Sequence, residues 1–181
     1  MAAEFGLGLG RKAMKALKTV IANLMPVVRW ITAGLFIGVF GLNVVQITLR
    51  YLVGTTWLWV PDLLRLMFVW MVFLGASVLY AMNGHLAVDF LVTRLSPRRR
   101  QIAAIVVEAA AITFFTILFF KGIEIAEKRM RVPFDTWDVP TGYAYAAISV
   151  AAVLMLLIGI DRLADQIRTV IRGETENVEG N

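Results

Sequence analysis

The chain has 181 residues, 59% of them hydrophobic, with a mean hydropathy of +0.74 and a formal charge of +5. Soluble domains are nearer half apolar; here the excess is gathered into runs of about 20 residues, the length that crosses about 30 Å of hydrocarbon. With no cysteine and a single histidine, the chain offers no disulfide, thiolate nucleophile or thiolate metal site, and a metal centre or bis-histidine haem is not expected.

No polar stretch is long enough to bury a core of its own. The fold class expected is an all-α integral membrane protein with four transmembrane helices. Its positive charge points to cytoplasmic loops and contact with anionic membrane lipid, not to nucleic acid.

Residues 1–26 read as an N-terminal tail and a basic amphipathic helix. Arg11, Lys12, Lys15 and Lys18 stand against Met14, Leu17, Ile21 and Leu24, whose steps of 3, 4 and 3 mark one helical face. Such a helix either lies in the cytoplasmic interface or extends the first span inward. Pro26 favours the first alternative, because an interior proline breaks a helix.

A four-span membrane domain follows over residues 27–161. Span 1 covers about 27–49 and contains Gly34, Gly38 and Gly41, small residues that let a helix approach closely. Asn43 and Gln46 near its outer end are candidates for hydrogen bonds between helices. Arg50 and Tyr51 mark the outer interface. A short linker with Trp57, Trp59 and Pro61 leads to span 2, about 62–82, so spans 1 and 2 form an antiparallel hairpin.

The second linker carries His85 and Asp89, then Ser96-Pro97 as a helix start, then Arg98, Arg99 and Arg100. Span 3 covers about 101–121 and continues as an exposed helix to about Arg131, supported by Glu124/Lys128 and Glu127/Arg131 at i,i+4. The third linker holds Pro133, Trp137, Asp138 and Pro140. Span 4 covers about 141–160, and residues 162–181 form a polar cytoplasmic tail, disordered from 173 on.

Lys and Arg number twelve on one side (five up to Arg29, four in the second linker, three in the tail) and six on the other (two in the first linker, four in the third). The positive-inside rule then puts both termini in the cytoplasm.

Few residues offer chemistry. Asp62 and Arg65 stand one turn apart at the start of span 2, with Arg50 across the linker. A carboxylate at a helix N-terminus is favoured by the helix dipole, and two guanidinium groups keep it ionised. The group reads as a clamp on the hairpin, a docking contact for a partner protein, or a solute or proton site. Glu108 lies inside span 3, where a charge costs about 2.5–3.5 kcal/mol; it is a proton or ion relay, or a hydrogen-bonding group within the bundle or toward a partner helix. His85 and Asp89, four apart, form a proton pair or a local bond that shapes a turn at the cytoplasmic corner. Four spans with so few polar groups, unbroken by the Gly/Pro interruptions of transporter midplane sites, suit an accessory subunit.

The ordered set Asn43, Arg50-Tyr51, Trp57, Asp62, Arg65, Phe68-Val69-Trp70, Phe73-Leu74-Gly75-Ala76 and His85 resembles the small membrane subunit, DctQ type, of tripartite ATP-independent periplasmic (TRAP) transporters. The resemblance is strong over about residues 43–95 and one of layout beyond. It implies a scaffold in the bacterial inner membrane that pairs with a large DctM-type subunit holding the substrate and sodium sites. It also implies docking of a periplasmic solute-binding protein that delivers an organic anion, typically a carboxylate. Two departures stand out: the family usually has Glu at Asp62, and many members carry Arg within the segment that here reads Ala81-Met82-Asn83-Gly84. The alternatives from other classes are a membrane anchor of a respiratory enzyme, disfavoured by the single histidine, and a small proton-coupled carrier using Glu108.

Overall fold

The computed structural model describes residues 2–83 and 97–179. Four helices account for nearly all of them: α1 (Ala2–Thr48), α2 (Val60–Asn83), α3 (Pro97–Arg129) and α4 (Gly142–Glu179). Four stretches are long and apolar enough to cross a membrane: Met14–Val53, which runs from α1 into the helical turn after it, then Val60–Met82, Gln101–Arg129 and Gly142–Arg168 within α2, α3 and α4. The protein is therefore an all-α, four-span integral membrane protein. His85 and Asp89 lie outside the described residues.

Helix α1 runs unbroken through Pro26. The proline removes one N–H, the one that would have bonded the carbonyl of Ala22. That loss is local, and neighbouring helices and waters re-satisfy freed backbone groups in membrane helices. Thus the break expected at Pro26 is absent, and the basic N-terminal segment is continuous with span 1. At 1.5 Å per residue a helix of 47 residues is about 70 Å long, so it extends well beyond the hydrocarbon. Helix α4 likewise continues as far as Glu179. The tail expected to be disordered from 173 is helical over its described part. Helix α3 ends at Arg129, close to its expected limit.

Packing follows an order different from the chain's. Helix α1 lies on α2, α2 on α4, and α4 on α3, the most extensive contact of all; α4 also meets α1. The last helix in sequence is therefore the central one. In its most apolar window 44% of residues are buried, and in that of α1 none are. Small residues explain the position of α4. Ala144, Ala147, Ala151 and Ala152 are all buried, and they let α3 come close. A Cβ built on Gly122 would stand 2.5 Å from Ser149 Oγ, and one on Gly142 would stand 2.6 Å from the Ala126 carbonyl oxygen. Those glycines are where two backbones meet. Between α1, α2 and α4 the apolar core is Val28, Leu74 and Leu154, with Leu24, Met25, Leu35, Trp70 and Val78 packed against it.

Only one stripe of α1 turns inward. The half-buried or buried positions Ile21, Leu24, Val28, Thr32, Leu35, Gly38, Leu42 and Gln46 recur every three or four residues. The opposite face presents Trp30, Phe36, Ile37 and Phe40, at 78, 59, 70 and 64% exposure.

Candidate functional site

Two clusters of polar side chains carry whatever specificity the bundle has, one at each end. At the end of the bundle where α1 meets α2 in sequence, α1 closes in a wide π-helical turn, Leu49–Val53. Gly54 ends it with φ 72°, a left-handed conformation that glycine adopts without steric cost, and Thr55 N–H also donates to the Leu49 carbonyl at 3.3 Å. Trp57 and Trp59 stack at 6.0 Å and 14°. The Trp57 carbonyl accepts from Gln46 Nε2 at 3.2 Å, tying the linker back to α1. Arg50, Trp57 and Arg65 are exposed, as is Asn43.

Asp62 is 7% exposed, and its partner is not a guanidinium. Its Oδ2 accepts from Thr136 N–H at 2.9 Å and from Thr136 Oγ1 at 2.5 Å. Thr136 lies in the linker between α3 and α4. That linker is folded back on itself: Phe134 N–H donates to the Val139 carbonyl at 2.9 Å and Thr141 N–H to the Val132 carbonyl at 2.8 Å, with Pro133 and Pro140 paired antiparallel. Phe134 is buried and meets Trp137 at 5.9 Å between ring centroids. The loop is thus a compact cap pinned by Asp62 onto the start of α2. Neither Arg50 nor Arg65 forms an ion pair with Asp62; the carboxylate is buried, while both arginines are exposed.

At the other end of the bundle, Glu108 is 5% exposed and accepts a short hydrogen bond from the Tyr80 hydroxyl. Arg162 of α4 lies 4.8 Å over the Tyr80 ring and donates to the Ala81 carbonyl at 2.8 Å. Gly159 provides the room: a Cβ there would meet Ile112 at 3.0 Å and the Tyr80 hydroxyl at 3.1 Å. Three helices, α2, α3 and α4, are joined at this one point. Tyr80 follows Asp62 by 18 residues (80 − 62), about 27 Å along α2, so the pair sits at the opposite end of the span from Asp62, not at its middle. One level further out in the helix extensions, Lys18 and Asp165 form an ion pair at 2.5 Å between α1 and α4, each about half exposed.

Thr136, Tyr80 and Arg162 were not among the residues singled out from the sequence. The available signal was a hydroxyl or guanidinium at the depth of a lone carboxylate, and depth becomes usable only once helix neighbours are known. Among the described residues no group of three or more His, Asp and Glu side chains is placed to hold a metal. The arrangement holds helices together: the two buried carboxylates, Asp62 and Glu108, are each taken up by a hydroxyl of another element.

Comparison with known proteins agrees with this geometry. The family model described as "Tripartite ATP-independent periplasmic transporters, DctQ component" matches residues 39–169. The sialic acid TRAP transporter permease protein SiaT of Haemophilus influenzae is 27% identical over 128 residues, 70% of this chain. This chain spans only 21% of that relative's length. The sialic acid TRAP transporter small permease protein SiaQ of Vibrio cholerae is 20% identical over 158 residues, covering 87% of this chain and 90% of the relative. A putative TRAP transporter small permease protein of Haemophilus influenzae is 29% identical over 119 residues, 64% of this chain and 71% of the relative. The match covers both polar clusters, the end of the first span and the other three spans, and it makes the protein a multi-pass inner-membrane transporter subunit rather than an enzyme. The chain belongs to the DctQ component family of the tripartite ATP-independent periplasmic transporters.

Proposed function

We propose that this chain is the static scaffold of a binding-protein-dependent importer of an organic anion. A large DctM-type subunit carries the solute and sodium sites, and a periplasmic solute-binding protein docks on the combined outer surface. Both termini are cytoplasmic. The observation that carries this reading is the one-sided packing of α1: it gives one stripe to its own bundle and leaves a continuous aromatic and aliphatic face uncovered. Helices associate in lipid through close van der Waals packing, and a face built of Trp30, Phe36, Ile37 and Phe40 offers a large area for it.

The polar groups support the same reading by being occupied. Glu108, the candidate for proton coupling among the described residues, is closed off by Tyr80, whose ring lies under Arg162. Asp62 is closed off by Thr136; a docking role at the outer face then falls to the exposed Arg50, Trp57 and Arg65 and to the cap that Asp62 holds in place. Two of the relatives are named for sialic acid, itself a carboxylate, which agrees with an anionic solute. The test is reconstitution in proteoliposomes with the large subunit, the binding protein and a sodium gradient. Uptake of a carboxylate should require all three proteins, and this chain alone should move neither solute nor protons. Proton-coupled transport by this chain alone would overturn the reading.

A further inference from the structure

A groove of about 630 Å³ runs between α1 and α2 at the inner end of the bundle, walled by Met25, Arg29, Trp30 and Ala33 on one side and by Ala81 and Met82 on the other. That volume is within the range of sites that hold a molecule of drug size, about 300–1,000 Å³. Its walls are apolar except for one charge, the exposed Arg29.

Three facts fix what the groove suits. The first is depth. Arg29 precedes Arg50 by 21 residues (50 − 29) on a continuous helix, about 31 Å, which matches the hydrocarbon thickness of about 30 Å. With Arg50 at the outer interface, Arg29 stands at headgroup level on the inner one. The second is charge. Lys18 is engaged with Asp165 and Arg162 with Ala81 and Tyr80, and among the described cations at this end only Arg29 lines the groove. Arg29 takes part in no ion pair among the described residues, and a guanidinium pairs strongly with phosphate oxygens. The third is the neighbour. Trp30 is 78% exposed beside it, and tryptophan is enriched at the depth where headgroups meet acyl chains.

We propose that this groove binds one anionic phospholipid, with its phosphate on the Arg29 guanidinium and one acyl chain laid between α1 and α2. The lipid seals the inner end of the α1–α2 seam, where the groove opens between the two helices. It makes the outward face of α1 continuous at that level. Annular lipid exchanges without preference for headgroup; this one is retained by charge and by shape together.

The full chain, with any subunit that accompanies it, is purified and exchanged into micelles containing equal amounts of phosphatidylglycerol and phosphatidylcholine with identical acyl chains. Native mass spectrometry then counts retained lipid. One phosphatidylglycerol per chain should be retained over phosphatidylcholine by about fivefold, as expected for one cation near an anionic headgroup. Arg29→Gln should remove the preference and Arg29→Lys should keep most of it. Ala81→Trp, which fills the groove and spares Arg29, should remove the bound lipid itself. Unchanged preference in Arg29→Gln overturns the proposal, and so does retained lipid in Ala81→Trp. Because the chain has no cysteine, a single cysteine at Ala81, on the α2 wall of the groove and off the uncovered face of α1, tests the remaining occupant. Crosslinking from that position to the large subunit would show a protein helix in the groove and would equally overturn it.

Discussion

Replacing Asp62 with alanine removes the contact that joins the start of α2 to the linker between α3 and α4. Two donors of Thr136, at 2.9 and 2.5 Å, converge on one carboxylate oxygen. A hydrogen bond to a charged group contributes about 1.5–3 kcal/mol, so the two together are worth about 3–6 kcal/mol before compensation. Compensation is substantial here. Thr136 is exposed, and water can take up its N–H and hydroxyl once the carboxylate is gone. Loss of a negative charge at the helix N-terminus adds about 0.3–1 kcal/mol. We expect Asp62→Ala to cost about 2–3 kcal/mol. Asp62→Asn keeps an oxygen that can accept both bonds and loses only the charge, for about 1 kcal/mol. Reversible unfolding in mixed micelles of mild and denaturing detergent measures both. A double-mutant cycle with Thr136→Val isolates the pair, with an expected coupling of about 1 kcal/mol. If Asp62→Ala lies within about 0.5 kcal/mol of the parent and the cycle shows no coupling, the cap is not held by this carboxylate and the account of the outer end fails.

The inner cluster gives a second prediction. Glu108→Gln retains an acceptor for Tyr80 and should be nearly neutral, whereas Glu108→Leu takes away the acceptor of the Tyr80 hydroxyl between the three helices and should cost about 1–3 kcal/mol by the same unfolding assay. Equal effects of the two would mean that the Tyr80 bond contributes nothing. The glycines give a third. Gly142→Ala drives a Cβ to within 2.6 Å of a backbone oxygen, which cannot yield as a side chain can, and should cost about 1–3 kcal/mol. Gly38→Ala meets only the flexible end of Met67, also at 2.6 Å, and should cost less than Gly142→Ala. Gly34→Ala meets nothing within 4 Å and should leave the isolated subunit's stability unchanged. A reversed order among these three would contradict the packing described for α3 and α4.

Hydropathy was enough to find the four spans, because a run of about 20 apolar residues has few other uses. Ends and breaks were less legible. Pro26 is a strong local signal against helix, yet α1 passes through it, since a lost backbone bond is a local cost and the helix on either side is held by its contacts with α2 and α4. The Asp62 carboxylate was legible as a special residue, but its partner Thr136 lies 74 residues away, in a loop whose fold depends on α3 and α4 being adjacent. The expectation of flanking arginines used sequence proximity in place of direction. Arg65 is on the same helix as Asp62, but it is exposed while the carboxylate is buried. Glu108 was legible for the same reason any membrane acid is, through its cost. Tyr80 was not, because nothing in the chain order places the inner end of α2 beside one side chain of α3. Gly34 and Gly38 read alike as a packing pair, yet Gly38 meets α2 and Gly34 faces open space; which side of a helix is covered is decided by its neighbours.

The central claim is that α1 presents its uncovered face to a large membrane subunit. Single cysteines placed in turn at Phe36, Ile37 and Phe40, in a chain that otherwise has none, allow it to be tested in native membranes. The account predicts that the tagged chain co-purifies with a large multi-span subunit and that these positions crosslink to it. Controls at Leu35 and Leu42, on the stripe facing α2, should not. Purification of the chain without such a subunit, or crosslinking confined to the inward stripe, would contradict it.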